Sequence, residues 1–198
     1  MAIPVSEAQK LNPSAIIELF TLQLFNNLHG SNEILRFHAG TKMNTNNEIV
    51  WQGNSYQRFP VEANGFEQTG RGQIPRPSFR IANLLGLNFN GTARTVSDLM
   101  VLVNQTTNQN DLLGARFTRI TTFASSLDAA NFANNTNPFG TPNSDENPQE
   151  IFLIDRKVLE NRNYVEFELT SEIDLLGRKI PYRQVLRKDF AGVGTFIR

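Results

Sequence analysis

The sequence predicts a mainly β fold, a barrel or sandwich with one short helix and long loops. Short segments of alternating apolar and polar residues recur along the chain, and glycine, asparagine and proline separate them. Fifteen phenylalanines, against three tyrosines and one tryptophan, supply bulky side chains for a packed core. Neither a repeat nor a linker divides the 198 residues, so we expect one β-rich domain of six to eight strands.

The individual strands follow from alternation and composition. The predicted strands are residues 15–24, 34–38, 48–51, 56–59, 78–82, 115–124, 150–159 and 164–170. The first is rich in Phe, Thr and Ile, which favours a strand, although Asn12 and Pro13 also permit a helix start. A Gly-Asn turn joins the third and fourth strands into a hairpin, and the last two strands form another. In the last strand Val165, Phe167 and Leu169 face inwards.

One helix and two long loops complete the predicted domain. The helix is Thr95–Gln105, with Thr95 or Ser97 as its cap and Asp98 in its first turn. Its apolar stripe is formed by Leu99, Leu102 and Val103. Thr41–Asn47 is a polar loop, and Asn131–Gln149 is a loop of nearly twenty residues, a length usually associated with function or disorder.

Charge, hydropathy and cysteine content exclude several classes of protein. Nineteen basic and nineteen acidic residues cancel, whereas nucleic-acid-binding domains usually carry a positive excess. The longest apolar runs are far shorter than the roughly 20 residues that cross a bilayer, and the N-terminus lacks signal-peptide features. The absence of cysteine excludes disulfides, thiolate nucleophiles and Cys-ligated clusters. We therefore expect a protein made in a cytoplasm, without a membrane anchor.

The sequence predicts no catalytic, cofactor or metal site. A glycosidase needs two carboxylates at a defined separation. The candidate carboxylates are expected on solvated polar faces, and they are Glu67, Asp128, Asp155, Glu166 and Glu168. His29 and His38 are isolated, too few for a catalytic triad or a metal cluster. Gly70-Arg71-Gly72 lacks the rest of a phosphate loop and indicates a turn.

Other residues have a structural and a functional interpretation. Trp51, Tyr56 and Phe59 are interpreted as fold-stabilising residues rather than as a ligand platform. Arg71 and Arg76 are either ion-pair partners at an interface or simply exposed. A basic run near the end of the chain is a solvated face or a docking arm, and its residues are Arg178, Lys179, Arg183, Arg187 and Lys188.

A series of short motifs occurs in an order and spacing typical of one family. From the first hairpin they are Ile49-Val50-Trp51-Gln52-Gly53, Tyr56, Phe59-Pro60-Val61, Gly65-Phe66-Glu67, Gly70-Arg71-Gly72, Arg76-Pro77 and Ala82-Asn83. Further on they are Ala115-Arg116-Phe117, Leu127-Asp128-Ala129-Ala130-Asn131-Phe132, Asp155-Arg156-Lys157, Val165-Glu166-Phe167-Glu168-Leu169 and Pro181-x-Arg183-Gln184. Through this ordered spacing, from about residue 10 to about residue 186, the chain resembles the phage minor tail protein L family of lambda-like siphophage tails.

The resemblance implies a non-enzymatic virion protein of the tail tip. Family members resemble tail-tube or hub β-barrel modules and form a ring, in about three copies, between the distal tail ring protein and the central hub or tip attachment protein. The chain would then be a homotrimer that is assembled in the host bacterial cytoplasm. Both long loops and both termini would make the contacts between subunits, and the lumen would admit passive contact with DNA or the tape-measure protein.

The chain departs from the family pattern at its C-terminal end. Family members usually continue into a cysteine-bearing segment that resembles an iron–sulfur site, and this sequence contains no cysteine. The resemblance therefore implies no cofactor here, and a cluster module would be absent or supplied by a separate chain. We expect residues 1–186 to form the tail-tip hub domain and residues 187–198 to form a basic C-terminal arm.

Three other functions are weighed against the structural one. A tail-associated peptidoglycan hydrolase predicts a cleft with two facing carboxylates, and zymography would detect its activity. A carbohydrate- or receptor-binding module predicts exposed aromatic side chains on one surface. A DNA-contacting tail stopper predicts salt-dependent DNA binding.

Overall fold

A computed structural model describes residues 4–40, 48–67, 74–143, 145–174, 186–188 and 190–194, and these residues form eleven strands and three α-helices. The helices are α1 (Val5–Ala8), α2 (Asn26–His29) and α3 (Val96–Thr106). The strands are β1 (Ile16–Gln23), β2 (Ile34–His38), β3 (Glu48–Trp51), β4 (Asn54–Arg58), β5 (Val61–Asn64), β6 (Ser78–Ala82), β7 (Leu87–Phe89), β8 (Thr92–Arg94), β9 (Arg116–Phe123), β10 (Glu150–Glu160) and β11 (Tyr164–Thr170).

Nine strands form one sheet in the order β3-β4-β2-β1-β9-β10-β11-β6-β5, and β7 and β8 form a separate hairpin. All neighbours are antiparallel except β2 and β4, which are parallel. Only Phe59 and Pro60 separate β4 from β5, so the chain links strands at opposite ends of the sheet. The mainly β fold class is confirmed, and its sandwich form fits. The sheet of described strands is open rather than closed into a barrel.

The buried apolar side chains form two cores, which lie on opposite faces of the central strands. The larger core contains a cluster of phenylalanines around Phe117, which is fully buried. Its ring lies 4.6 Å from that of Phe79, 5.8 Å from that of Phe20 and 6.2 Å from that of Phe66, measured between centroids. Contacts of this kind add to the hydrophobic gain of burial, which is about 25 cal/mol per Å² of apolar surface. The phenylalanine-rich composition therefore serves the core, as predicted.

The smaller core lies on the other face of β1 and β9, under the β3–β4 hairpin. Leu19 of β1 and Ile120 of β9 meet Trp51 and Tyr56 there, and Leu127 packs in from the following segment. Trp51 and Tyr56 are each 3% exposed, whereas Phe59 is 4% exposed and belongs to the larger core. All three aromatic residues are therefore fold-stabilising, as expected.

The sequence predicts fewer secondary-structure elements than the described residues form. Eleven strands and three α-helices occur among the described residues, where six to eight strands and one helix are predicted. The additional strands are β5, β7 and β8, of only three or four residues, and α1 and α2 are single turns. Elements this short carry too few residues for a periodic pattern to appear in the sequence. The short strands are formed by pairing, β5 with β6, and β7 with β8 across a two-residue turn.

The β3–β4 turn differs by one position from the prediction. The Gly-Asn dipeptide is expected at its centre, but the turn residues are Gln52 and Gly53, with φ of 50° and 73°. Positive φ at both positions is the geometry of a type I′ turn, whose twist matches that of the flanking strands. Asn54 is consequently the first residue of β4.

The predicted helix is confirmed as α3, with Thr95 as its cap. The Thr95 hydroxyl accepts a hydrogen bond from the Asp98 amide, and the Asp98 carboxylate accepts one from the Thr95 amide. Its N-terminal end lies against the end of β10, where the Ser97 hydroxyl donates to Glu160 at 2.6 Å. Asp111, beyond its C-terminal end, pairs with Lys157 of β10 at 2.7 Å. These contacts place α3 beside the part of β10 that extends past β9.

The long loop of residues 131–149 is confirmed, but it is packed rather than loose. A short helical turn, Ala133–Asn135, lies near its start, and Asn147 donates to the carbonyl of Thr121 at 2.9 Å. Asn137 and Glu146 are buried within it. The other predicted loop, Thr41–Asn47, lies outside the described residues.

Candidate functional site

Asp128 and Asn131 form a clamp on the β3–β4 hairpin. The Asp128 carboxylate accepts hydrogen bonds from the amides of Gln52 and Gly53, at 3.1 and 2.7 Å. The Asn131 side chain accepts from the Val50 amide at 2.7 Å and donates to the Val50 carbonyl at 2.5 Å. Because β3 is an edge strand, these bonds occupy backbone groups that a further strand would otherwise use. The clamp therefore joins two of the motifs on which the family resemblance depends.

A charged face covers the side of β10, β11, β6 and β5 opposite the larger core. Glu168 of β11 contacts Arg156 of β10 at 2.5 Å and Arg76 at 3.3 Å. Arg76 also holds Asp174 at 2.6 Å and lies 3.9 Å from Asp155. The hydrogen bond from Arg156 and then that from Arg76 hold the pKa of Glu168 below its ordinary value.

A second row of ion pairs crosses the same charged face. Glu166 of β11 is in register with Arg80 of β6, which is in register with Glu62 of β5. Arg80 contacts Glu166 at 3.2 Å and Glu62 at 3.7 Å. The hydrogen bond and charge of Glu166 raise the pKa of Arg80. Cross-strand pairs of opposite charge stabilise a sheet in this arrangement.

The charged face corrects one expectation from the sequence and locates a second predicted residue. Glu166 and Glu168 are predicted to be solvated, but their side chains are only 15% and 17% exposed and both are ion-paired. Sequence alternation places them on the polar face correctly but cannot show which cations lie opposite. Arg76 is predicted as an interface partner or an exposed residue. Its side chain is 49% exposed and its ion pairs lie within the chain, and the interface role stays a prediction. Arg71 lies outside the described residues.

A groove of about 700 Å³ opens beside Arg119 of β9. We name it the Arg119 groove, and its lining includes Ile74, Pro75, Pro148, Glu150, Ile151 and Phe152. The Arg119 guanidinium pairs with Glu18 and, at 2.8 Å, with Glu150, and it lies 4.8 Å from the centre of the Phe66 ring. Arg119 and Glu150 are the charged residues of the lining, and they pair with each other. The remaining lining is partly polar, from Thr121, Asn147, Gln149 and Ser171. The groove thus combines apolar and polar walls around one ion pair.

The two histidines are parts of the scaffold. His29 is 3% exposed, and its ring accepts from the Phe25 amide at 3.0 Å and lies 3.1 Å from the Leu113 carbonyl. Burial lowers the pKa of His29, which favours the neutral ring. His38 is fully buried at the end of β2. Both histidines therefore hold the chain together rather than face a substrate.

The carboxylates considered as glycosidase candidates lie in three different structural environments. Asp128 belongs to the clamp, and Asp155, Glu166 and Glu168 belong to the charged face, whereas Glu67 is exposed. The structure does not assemble these five groups into one cleft. Gly70-Arg71-Gly72 lies outside the described residues. Within the described ranges, no cluster of three or more His, Asp or Glu suits a metal ion, and no helix is long and apolar enough to span a membrane.

The sequence interpretation overlooks a buried carboxylate in the long loop. Glu146 is 2% exposed, and both of its carboxylate oxygens face the Gln149 amide, at 3.1 and 3.3 Å. Burial raises the pKa of Glu146. Nothing in the local sequence Ser144-Asp145-Glu146-Asn147 separates this acid from an exposed one. Its burial depends on the fold of the loop against β9.

Fold, clamp and charged face together define a β-rich protein in which most of the candidate carboxylates serve the scaffold. The chain belongs to the phage minor tail protein L family, whose model matches residues 27–191. The chain is also similar to tail tip protein L of Escherichia phage lambda, with 30% identity over 86 residues. That alignment covers 43% of this chain and 31% of the lambda protein, so it spans about a third of that relative.

Proposed function

We propose that this protein is a tail-tip ring subunit that assembles as a homotrimer and joins the distal tail tube to the central hub. The observation that carries the proposal is the family match, which extends over residues 27–191 and so includes both the clamp and the charged face. The similar lambda protein is named for the tail tip. The distal tail ring protein and the central hub protein are the proposed neighbours.

The geometry of the described residues supports a structural role. Three of the five carboxylates considered for hydrolysis are engaged elsewhere: Asp128 holds a turn, and Glu166 and Glu168 hold cationic side chains on adjacent strands. In the edge strand β3, the amide and carbonyl of Val50 are satisfied by the clamp. A scaffold of this kind offers fixed side-chain surfaces to its neighbours, as a ring subunit requires. We therefore propose a non-enzymatic role.

We propose a division of the chain into a body, residues 1–186, and a basic arm, residues 187–198. In this arrangement the long loops and both ends of the chain contact neighbouring subunits. Deleting everything after Leu186 tests the arm directly. Failure of tails to assemble is expected, and normal assembly of tails by the truncated protein would refute the role of the arm.

The decisive experiment is a cryo-electron microscopy map of the whole virion. We expect density for this chain as a three-fold ring between the last tube ring and the hub. Immunogold labelling of intact particles at the distal end of the tail provides an independent position. The proposal fails if the chain is missing from purified virions, or if its density lies elsewhere in the particle.

A further inference from the structure

We propose that Asn64 is a site of spontaneous deamidation, at which the folded protein converts its own asparagine into aspartate and isoaspartate. The inference goes beyond the proposed function and does not depend on it. The Asn-Gly dipeptide occurs twice in the chain, at Asn64-Gly65 and at Asn90-Gly91. The structure gives the two copies different conformations, and it favours reaction at the first copy.

The reaction needs only the chain itself and water. The backbone nitrogen of the glycine attacks Cγ of the asparagine side chain, so that a C–N bond forms and ammonia leaves with the proton of that nitrogen. The product is a five-membered succinimide ring with two carbonyl groups. Water then adds to one of these carbonyls and breaks its bond to nitrogen, which gives aspartate when the carbon is Cγ and isoaspartate when it is the main-chain carbon. Glycine favours the attack because it has no β-carbon beside the nitrogen.

The attacking nitrogen of Gly65 is not engaged by the sheet. Asn64 is the last residue of β5 and is in register with Ser78 of β6. Every second residue of an antiparallel strand directs its backbone groups at the same neighbour. Pro60 does so by accepting from the Ala82 amide at 2.9 Å, and therefore Asn64, four positions further on, does so as well. The Gly65 N–H lies on the opposite side of the planar peptide from the Asn64 carbonyl, so it points away from β6. Within the described ranges nothing accepts a hydrogen bond from it.

The Asn64 side chain is open to water and lightly held. Asn64 and Gly65 are both exposed. The Asn64 side-chain nitrogen donates to Glu62 at 2.8 Å, and the Glu62 side chain is itself 60% exposed. Because Asn64 ends its strand, a rotation about its ψ moves the chain beyond β5 and gives up at most the last bond of the ladder. The rotation that brings the nitrogen to the side chain is therefore accessible in the folded protein.

The second Asn-Gly is held in a conformation that opposes the attack. Asn90 and Gly91 are the two residues of the β7–β8 turn, with φ of 50° and 73°. In a type I′ turn the ψ of the first residue is about +30°, which places the Gly91 nitrogen nearly opposite the Asn90 β-carbon about the Cα–C bond. In an antiparallel strand ψ is about +135°, and the nitrogen lies to one side of the β-carbon. Asn64 consequently has a smaller rotation to make than Asn90.

Further contacts keep the Asn90 turn in place. The Asn90 amide donates to the Glu33 carboxylate at 2.8 Å. Phe89 is in register with Thr92 across the turn, and its side chain is buried in the larger core. A rotation at Asn90 would have to break a turn that is fixed on both sides. The fold therefore protects Asn90 and leaves Asn64 reactive.

Reaction at Asn64 would change the charged face. Asn64 and Glu62 are two positions apart on β5, so their side chains lie on the same face of the sheet. Aspartate replaces the donor to Glu62 with a second carboxylate, which adds a negative charge beside it. Isoaspartate also adds a methylene carbon to the backbone and so shifts the chain after β5 relative to Ser78 of β6.

Peptide mapping by mass spectrometry tests the site in the purified full-length protein. Trypsin cuts after Arg58 and Arg71 to give a fragment whose sole asparagine is Asn64, whereas Asn90 falls in a fragment that ends at Arg94. The protein is incubated in mildly alkaline buffer, and the mass gain of an NH2-to-OH exchange is followed at both positions. In the folded protein we expect Asn64 to convert several-fold faster than Asn90. In concentrated urea, which removes the fold, the two rates should become similar.

Two variants assign the product to its position. Asn64→Gln keeps an amide, but its longer side chain would have to close a six-membered ring, which forms far more slowly. Labelling by an isoaspartyl methyltransferase should therefore fall several-fold in Asn64→Gln relative to the natural protein. Asn90→Gln is the matched control, and its labelling should equal that of the natural protein.

Three results would overturn the inference. Asn64 and Asn90 might convert at equal rates in the folded protein, or Asn90 faster, which would mean that the fold does not favour Asn64. An unreacted Asn64 in the folded protein, over a period in which the urea-unfolded chain is converted, would mean that the strand end is closed to the reaction. A ratio of rates that urea leaves unchanged would mean that local sequence, and not the fold, sets the preference.

Discussion

The side chain of Asn131 pairs with the backbone of Val50 as a neighbouring strand would. Its oxygen accepts from the Val50 amide at 2.7 Å and its nitrogen donates to the Val50 carbonyl at 2.5 Å. Asn131 is 2% exposed, so these bonds form away from water. One amide side chain therefore occupies the outward-facing backbone groups of Val50 on an edge strand. Unpaired backbone groups on an edge strand invite pairing with other chains, and Asn131 removes two of them.

Replacing Asn131 tests the clamp. Asn131→Ala leaves the Val50 amide and carbonyl without their partners, which we expect to lower the free energy of unfolding by about 2–3 kcal/mol. Urea denaturation followed by circular dichroism measures the change. Asn163→Ala, in the exposed β10–β11 turn, is the matched control and should change stability by less than about 0.5 kcal/mol. Equal effects of the two substitutions would contradict the role of the clamp.

The hairpin turn makes a separate prediction about backbone conformation. Gly53 has a φ of 73°, and a β-carbon added there would meet nothing within 4 Å. Gly53→Ala should therefore cost about 1 kcal/mol through the backbone alone, because side-chain-bearing residues disfavour this region. Gly192→Ala is the control, since it has equal space and no positive φ. Thermal unfolding of both variants measures the difference, and a neutral Gly53→Ala would contradict the turn geometry.

The charged face predicts a pH dependence. Arg156 and Arg76 lower the pKa of Glu168 in the folded state, so its ion pairs stabilise the fold above its unfolded pKa of about 4.3. This stabilisation is lost as the pH falls through the lower, folded-state pKa. Glu168→Gln should therefore be about 1 kcal/mol less stable than the natural protein at pH 7, with the difference vanishing in strong acid.

The control for this prediction lies on the same face. Glu62 is 60% exposed and lies 3.7 Å from Arg80, so Glu62→Gln should change stability little at any pH. Urea midpoints measured between pH 2 and pH 7 provide the comparison. A stability gap for Glu168→Gln that stays constant over this range would rule out the ion-pair explanation.

The larger core depends on Phe117. Its side chain is fully buried among Phe20, Phe66 and Phe79, so Phe117→Ala removes ring contacts and leaves a cavity. We expect a loss of about 3–5 kcal/mol in the free energy of unfolding. The same substitution at Phe139, which is 53% exposed, should cost less than about 1 kcal/mol. Chemical denaturation of both variants checks the prediction, and similar losses would contradict the assignment of the core.

The longer elements of the fold follow from local pattern. Val165, Phe167 and Leu169 alternate with glutamates in the sequence and are fully buried in β11, because a strand turns successive side chains to opposite faces. Thr95 and Asp98 form the capping box at the start of α3, and this pattern is visible in the sequence. By contrast, β5 has four residues and β7 has three, too few to show a period. They are strands because of their pairing, β5 with β6 and β7 with β8 across the Asn90-Gly91 turn.

The roles of the site residues are less accessible from the sequence. The motifs containing Asp128, Asn131 and Arg156 are visible as part of a family resemblance, yet their chemistry is not. An aspartate beside a turn, such as Asp128, and an aspartate on a strand, such as Asp155, are written with the same letter in a sequence. Asp128 and Gly53 are 75 positions apart, so only folding brings them within 2.7 Å.

The sequence by itself determined the mainly β class, the helix at Thr95, the phenylalanine core and the basic run near the C-terminal end. These depend on composition, on period and on residues close together in the chain. The tertiary structure alone decided the strand order, the clamp on Val50, the partners of Glu168 and the opening of the Arg119 groove. Each of these requires side chains from distant segments to meet, and their meeting is set by how the sheet folds and not by any local preference.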